Sequence, residues 1–393
     1  MYTKLLSKNN YLSFSGFQRI NNEIILSNVR GNGLFIIDSD NYQIKEIKKF
    51  ISMPEEAQRY HRGCCSKNNS VYFYPDGAGN GIHKYDVLKK EQVYIETGDY
   101  TCSYAYINEE EMILLPAYAT DKILKLDLRT DTLNKIEVYG LERDKIGSNF
   151  FKCGQISGNK VWMSLVRTPS LFIVDLVSKE VCRQLVGNED IRLWGTAYDG
   201  INYWFTLLDD ERIIKYNPNE KISRYYNVHR DTMIKQYTII YKEIIAYKNK
   251  VILVDWSGIF LLDTVNEKLE CLALFPKNMK AASVDWHVEY QFCGTKLVMC
   301  LSLTSIVAVM DMNSLEVVFF STIVENSEEF DKYTQGLCRR KLNAILNEEA
   351  IAEGGNSDLA ELQDFIKLVQ LFDREMKGTE NHESVGESIY ESA

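Results

Sequence analysis

Five histidines occur in the 393 residues, and two of them, His61 and His287, stand at equivalent places near the start of apolar segments. Two imidazoles converging on one opening would serve as acid–base groups or as metal ligands, provided a carboxylate stands beside them. Asp285 and Glu289 are the nearest in sequence, and Arg62 and Lys152 would hold an anion. Spacing supplies no third ligand, so hydrogen-bonded structural histidine is the default, and neither a metal nor a cofactor is expected. Trp194 and Trp286 begin two such segments, where an exposed indole suits stacking on a sugar ring or a peptide side chain; packing between sheets uses the same residue type. Arg19, Tyr104, Tyr241 and Lys242 complete the candidate ligand-binding set. There is no GxSxG, HExxH or phosphate-binding glycine loop. GNGLF at 31–35 and GAGNG at 77–81 read as hairpin glycines, because neither opens a helix.

The elements that would position these residues form a repeat. An alternating strand ends in an acid or amide seven times, at Asp38, Asp86, Asp127, Asp175, Asn217, Asp263 and Asp311, with spacings of 48, 41, 48, 42, 46 and 48. A second anchor precedes each one, a polar turn that launches a β-branched or aromatic strand, as in NNSVYFYP (68–75) and GNKVWMSL (158–165). A unit of this length makes one four-stranded sheet, too small to bury both faces alone, which packs on its neighbours around an axis. The expected fold is therefore all-β, a seven-bladed β-propeller of four-stranded antiparallel blades. The blades fall near 11–50, 60–97, 100–140, 149–187, 191–228, 236–275 and 284–322. The anchoring Asp and Asn accept N–H groups of the following turn and are not a ring of catalytic carboxylates. All the candidate residues named above lie on the expected innermost strands, where only alternate side chains can face the axial channel. Blade 7 owns four strands, so no swapped closing strand is required, although residues 2–6 would suit an extra outer one.

The stretch DGINYWFTLLDDERIIKYNPNEKI (199–222) is the most typical blade. On it, and on the two anchors, residues 11–322 resemble the broad group of bacterial propellers that includes NHL-like, kelch-like and quinoprotein-like repeats. The resemblance implies architecture only. The signature boxes of WD40 and sialidase-type repeats are missing, and no functional residues carry over.

After Thr322 the apolar period changes from two to about 3.6. Residues 325–393 read as an acidic tail separate from the propeller of 1–324, with helices near 327–350 and 358–377. Phe330, Tyr333, Leu337 and Leu342 share a face of the first, and Leu359, Leu362, Ile366 and Val369 share a face of the second. These stripes dock on the propeller or on a partner, or serve self-association. The tail holds 16 Asp/Glu against 7 Lys/Arg, which is −9 of the net −10. The body is nearly neutral and has no basic patch, which argues against nucleic acid. No apolar run reaches the length of a membrane span or signal peptide, and nine scattered cysteines without CxxC spacing suggest reduced core thiols. The adjacent Cys64 and Cys65 must face opposite sides of their strand. A cytoplasmic location follows. The expected function is a non-catalytic binding or scaffold propeller holding a protein, peptide or glycan-related partner. The alternative is a lyase or hydrolase at the channel mouth.

Overall fold

The computed structural model describes residues 14–29, 31–54, 59–147, 149–228, 239–276, 288–301 and 306–322, together with Glu328, Lys332 and Tyr333. Each repeat is built around one hairpin. The Oδ1 of Asp38 accepts the N–H groups of Asp40 and Asn41 at 2.8 and 3.3 Å. The same two-bond turn recurs at Asp86, Asp127, Asp175, Asn217, Asp263 and Asp311. Four residues after each anchor the chain enters the left-handed region, at Tyr42, Lys90, Asp131, Lys179, Lys221, Glu267 and Leu315, with φ between 54° and 67°. None of these is glycine, so the side-chain acceptor and the flanking strands hold each one there against its intrinsic preference.

These hairpins join seven sheets, each of four consecutive antiparallel strands. Blade 1 consists of Phe14–Ile20, Glu23–Asn28, Leu34–Asp38 and Ile44–Lys48. The inner strands of the others are His61–Lys67, Cys102–Ile107, Phe151–Ser157, Leu193–Tyr198, Tyr241–Tyr247 and Val288–Cys293. The second strand of every blade is buried on both faces along nearly all its length and is mostly apolar, because each sheet is covered by a sheet on either side; Val71 to Pro75 are all buried. Outer strands alternate instead, as in Glu91–Glu96, where only one face meets a neighbour.

The core is accordingly a circle of seven clusters, one at each blade boundary. The boundary that closes the ring joins Phe14, Phe17, Ile24, Leu26, Phe35, Ile37 and Tyr42 of blade 1 to Val298, Cys300, Val307 and Val309 of blade 7. At about 1.5–3 kcal/mol per large apolar side chain removed from water, this packing outweighs the polar links of about 1 kcal/mol that accompany it. Those links include Arg19 N–H to Gln291 Oε1 at 2.7 Å and Ile44 N–H to the Thr322 carbonyl at 3.1 Å. Among the described residues blade 7 holds four strands of its own, as its sequence implies. The possible strand at residues 2–6 lies outside the described residues. So do the expected tail helices, apart from Glu328, Lys332 and Tyr333, which are in helical conformation. Tyr333, from the first apolar stripe, packs on blade 1: its ring lies 5.2 Å from that of Phe35, and its hydroxyl accepts Asn28 Nδ2–H at 2.8 Å.

Candidate functional site

One irregularity decides which candidate side chains reach the channel mouth. In blades 1 to 6 the inner strand begins with a break in register against the second strand. An extra residue there bends the strand and re-aims its side chains. The first residue of each strand, Phe14, His61, Cys102, Phe151, Leu193 or Tyr241, is turned into the core and is at most 2% exposed. The residues next in line include Arg62, Lys152, Trp194 and Lys242. The candidates therefore divide into two groups that their positions on the expected strands did not separate.

Tyr241 belongs to the first group: it lies in the cluster between blades 5 and 6, with its hydroxyl directed at the Glu211 carbonyl at 3.4 Å. His61 belongs there too, and the structure surrounds it with partners. Its Nδ1 lies 2.7 Å from Ser27 Oγ, and its Nε2 lies 2.8 Å from His83 Nδ1. His83 Nε2 lies 2.6 Å from the Ile51 carbonyl. A carbonyl only accepts, so His83 carries its proton on Nε2 and accepts on Nδ1 from His61 Nε2–H; His61 Nδ1 then accepts from Ser27. The result is a one-way relay, Ser27 to His61 to His83 to Ile51, in which every ring nitrogen is used. Ser15 Oγ donates to the His61 carbonyl. Phe50, Tyr60 and Phe73 pack on the His61 ring. Burial, followed by the neighbouring His83, holds His61 well below the ordinary histidine range, and burial lowers His83 to about 4. Both rings are neutral near pH 7.

His83 was not among the sequence candidates, although a signal for it existed. Counting three residues back from each repeat anchor gives Phe35, His83, Leu124, Phe172, Ile214, Phe260 and Ala308, all buried. A histidine at the one polar place in an otherwise apolar column requires a buried partner, and His61 interrupts its own column in the same way.

The second group lies at the mouth on blades 3 to 6. Lys152 Nζ stands 4.6 Å from the centre of the Trp194 ring and 3.7 Å from Glu243 Oε2 of blade 6. The ion pair links blade 4 to blade 6; on blade 5 between them, a Cβ at Gly195 would meet Thr206 Oγ1 at 2.5 Å. Phe150 meets Trp194 edge-on with ring centres 6.4 Å apart, and the exposed Tyr118 lies 6.5 Å from Phe150. Lys242 is buried with its ammonium 3.5 Å over the Trp256 ring. Elsewhere on the inner strands, Arg62 Nη1 lies 4.0 Å from Asp76 Oδ2, Tyr104 is exposed, and Arg19 sits near the opposite end of its strand with Nε directed to the Asn21 carbonyl at 3.4 Å. His287, Trp286 and Asp285 lie outside the described residues, so the expected approach of His61 to His287 does too. Among the described residues no cluster of three or more His, Cys, Asp or Glu side chains is arranged to hold a metal ion.

Cys64 and Cys65 face opposite boundaries, Cys64 toward blade 1 and Cys65 toward blade 3. Burial pushes the Cys65 thiol up to about 12 and raises that of Cys64 well above the usual range.

No protein-family model matches the chain, and no curated protein sequence does. Solved structures share its fold. The WD40 domain of Neurospora crassa Pan2 aligns with a TM-score of 0.53 at 9% identity, over 81% of this chain and 91% of that one. The WD40 repeats of RRP9 align at 0.54 and 9% identity, over 74% and 88%. A catalytically inactive variant of virginiamycin B lyase from Staphylococcus aureus, solved with quinupristin, aligns at 0.54 and 12% identity, over 76% and 94%. At such identities these likenesses establish the propeller, with WD40-like structural neighbours, and nothing about chemistry.

Proposed function

We propose that the chain is a non-catalytic binding propeller that holds a protein or peptide partner at the channel mouth of blades 3 to 6. The observation that carries this reading is the make-up of that mouth, where the rings of Tyr118, Phe150 and Trp194 and the ammonium of Lys152 lie in one arc. Tyrosine and tryptophan are enriched among the few residues that dominate binding energy at protein interfaces. The WD40-like neighbours are consistent with a scaffold role.

The rival reading, a lyase or hydrolase at the mouth, requires an acid–base group open to substrate. The two histidines among the described residues give it no support: His61 and His83, both in blade 2, are buried and spend their ring nitrogens on one another, Ser27 and Ile51. Crosslinking of the full chain in its native cell, followed by mapping of the crosslinked residues, tests the proposal. Crosslinks to one partner protein that cluster around residues 118, 150 and 194, and that Phe150→Ala weakens, support it. Crosslinks confined to the opposite face, where the repeat anchors lie, would refute it.

A further inference from the structure

The mouth also specifies what kind of group the partner presents. Lys152 is mostly buried, with 15% of its side chain exposed, yet its ammonium makes no hydrogen bond among the described residues. Its ionic neighbour Glu243 stands at 3.7 Å, beyond hydrogen-bonding distance, and its other neighbour is the face of Trp194. The Nε1–H of that same Trp194 is buried and has no acceptor. Two donors with no acceptors thus meet on one indole, the ammonium over its face and the N–H at its edge. Buried donors without acceptors are uncommon in folded proteins, and each carries a desolvation cost that an incoming acceptor relieves.

The rings extend from this point in one direction. Phe150 abuts Trp194, Tyr118 abuts Phe150, and Tyr118 also lines an open cavity of about 470 Å³ whose charged side chains are Lys122 and Arg143 together with Asp99, Asp121 and Glu142, so the positive charge that would meet a carboxylate is that of Lys152 and not of the cavity. The ring-to-ring steps of 6.4 and 6.5 Å each match about two residues of extended chain, at roughly 3.3 Å per residue.

Resting on the proposed binding role, we propose that this arc takes a short extended peptide segment of the partner carrying an Asp or Glu. The carboxylate accepts from Lys152 Nζ and Trp194 Nε1, and the neighbouring residues cross Phe150 and Tyr118 toward the cavity. A carboxylate offers two oxygens to the two donors, and its charge strengthens the bond to an ammonium whose own ionic partner, Glu243, stands at 3.7 Å. A phosphate dianion would bring greater repulsion from Glu243 beside it.

The test uses the full chain with ¹⁵N-labelled tryptophan, the Trp194 indole signal being assigned through Trp194→Phe. The probes are acetyl-aspartate N-methylamide, its asparagine counterpart and inorganic phosphate. The aspartate probe should shift the Trp194 indole signal saturably, and the asparagine probe should need about tenfold more or fail. Lys152→Met should weaken the aspartate response by about tenfold, while Lys122→Met, at the far end of the arc, leaves this single-residue probe unaffected. Equal responses to aspartate and asparagine, a response to phosphate alone, no response to any probe, or an unchanged response in Lys152→Met would each overturn the assignment. Crosslinks at the mouth together with a failed carboxylate test would leave the binding role standing and remove only the acidic peptide. The reverse pattern would remove the protein partner and keep the carboxylate site.

Discussion

Lowering the pH from 7 to 5 should destabilise this propeller through the buried Ser27–His61–His83 relay, and the size of the effect can be worked out from His83. Its folded-state value of about 4 lies below the ordinary 6.5. As pH falls through 6.5 the unfolded chain takes up a proton that the folded chain refuses, so unfolding is favoured. The stabilisation is complete above about pH 6.5, declines through the interval and is exhausted near pH 4. At about 1.4 kcal/mol per pH unit of difference, the full effect is about 3 kcal/mol, of which about 2 kcal/mol is gone by pH 5. His61, held low in the same direction, adds to the loss. Carboxylates with lowered values, such as Asp127 and Asp175, begin to lose their contribution only as pH falls toward the ordinary 3.8, so the interval from 6.5 to 5 isolates the histidines. The assay is urea unfolding followed by tryptophan fluorescence at pH 7, 6 and 5, for the wild type and His83→Gln. At pH 7 the variant should be less stable by about 1–3 kcal/mol, because the Ile51 carbonyl and His61 Nε2–H lose a well-placed partner. Its stability should then change less with pH, so that the two proteins converge at pH 5. Parallel curves from pH 7 to 5 would refute the relay as a neutral, proton-excluding network.

Two further expectations follow from the repeat and the core. Replacing Asp127 by Asn should leave the melting temperature nearly unchanged, since Asn217 already performs this turn in blade 5; Asp127→Ala removes the oxygen that accepts both N–H groups of the turn and should lower it. Equal melting of the two variants would show that the side-chain oxygen does not hold the hairpin. In native protein at pH 8, a maleimide should modify the exposed Cys182 and Cys271 first; the half-buried Cys64 and Cys65, whose thiols are held in the protonated form, should react far more slowly, and the buried Cys102 and Cys300 only after denaturation. Mass mapping of labelled peptides reads this directly, and labelling of Cys64 or Cys65 as early as Cys182 would contradict their raised thiols.

The sequence by itself determined the features that repeat. Seven Asp or Asn anchors, each followed by a polar turn, are local signals, because the turn is closed by a side chain two and three residues from the N–H groups it accepts. The mostly apolar second strands are equally local, since a sheet covered on both faces has no solvent-facing side to show. Four strands per blade, including the last, follow from those two facts. Tertiary structure alone decided the mouth. The register breaks that send His61 and Tyr241 into the core, and bring Lys152 and Trp194 to the opening, occur within strands whose composition does not mark them. His61 meets His83 from the third strand of its own blade and Ser27 from the neighbouring blade, and Lys152 meets Glu243 from two blades away. Such partners are fixed by the packing of one sheet on the next around the ring, and their separation along the chain carries no trace of it.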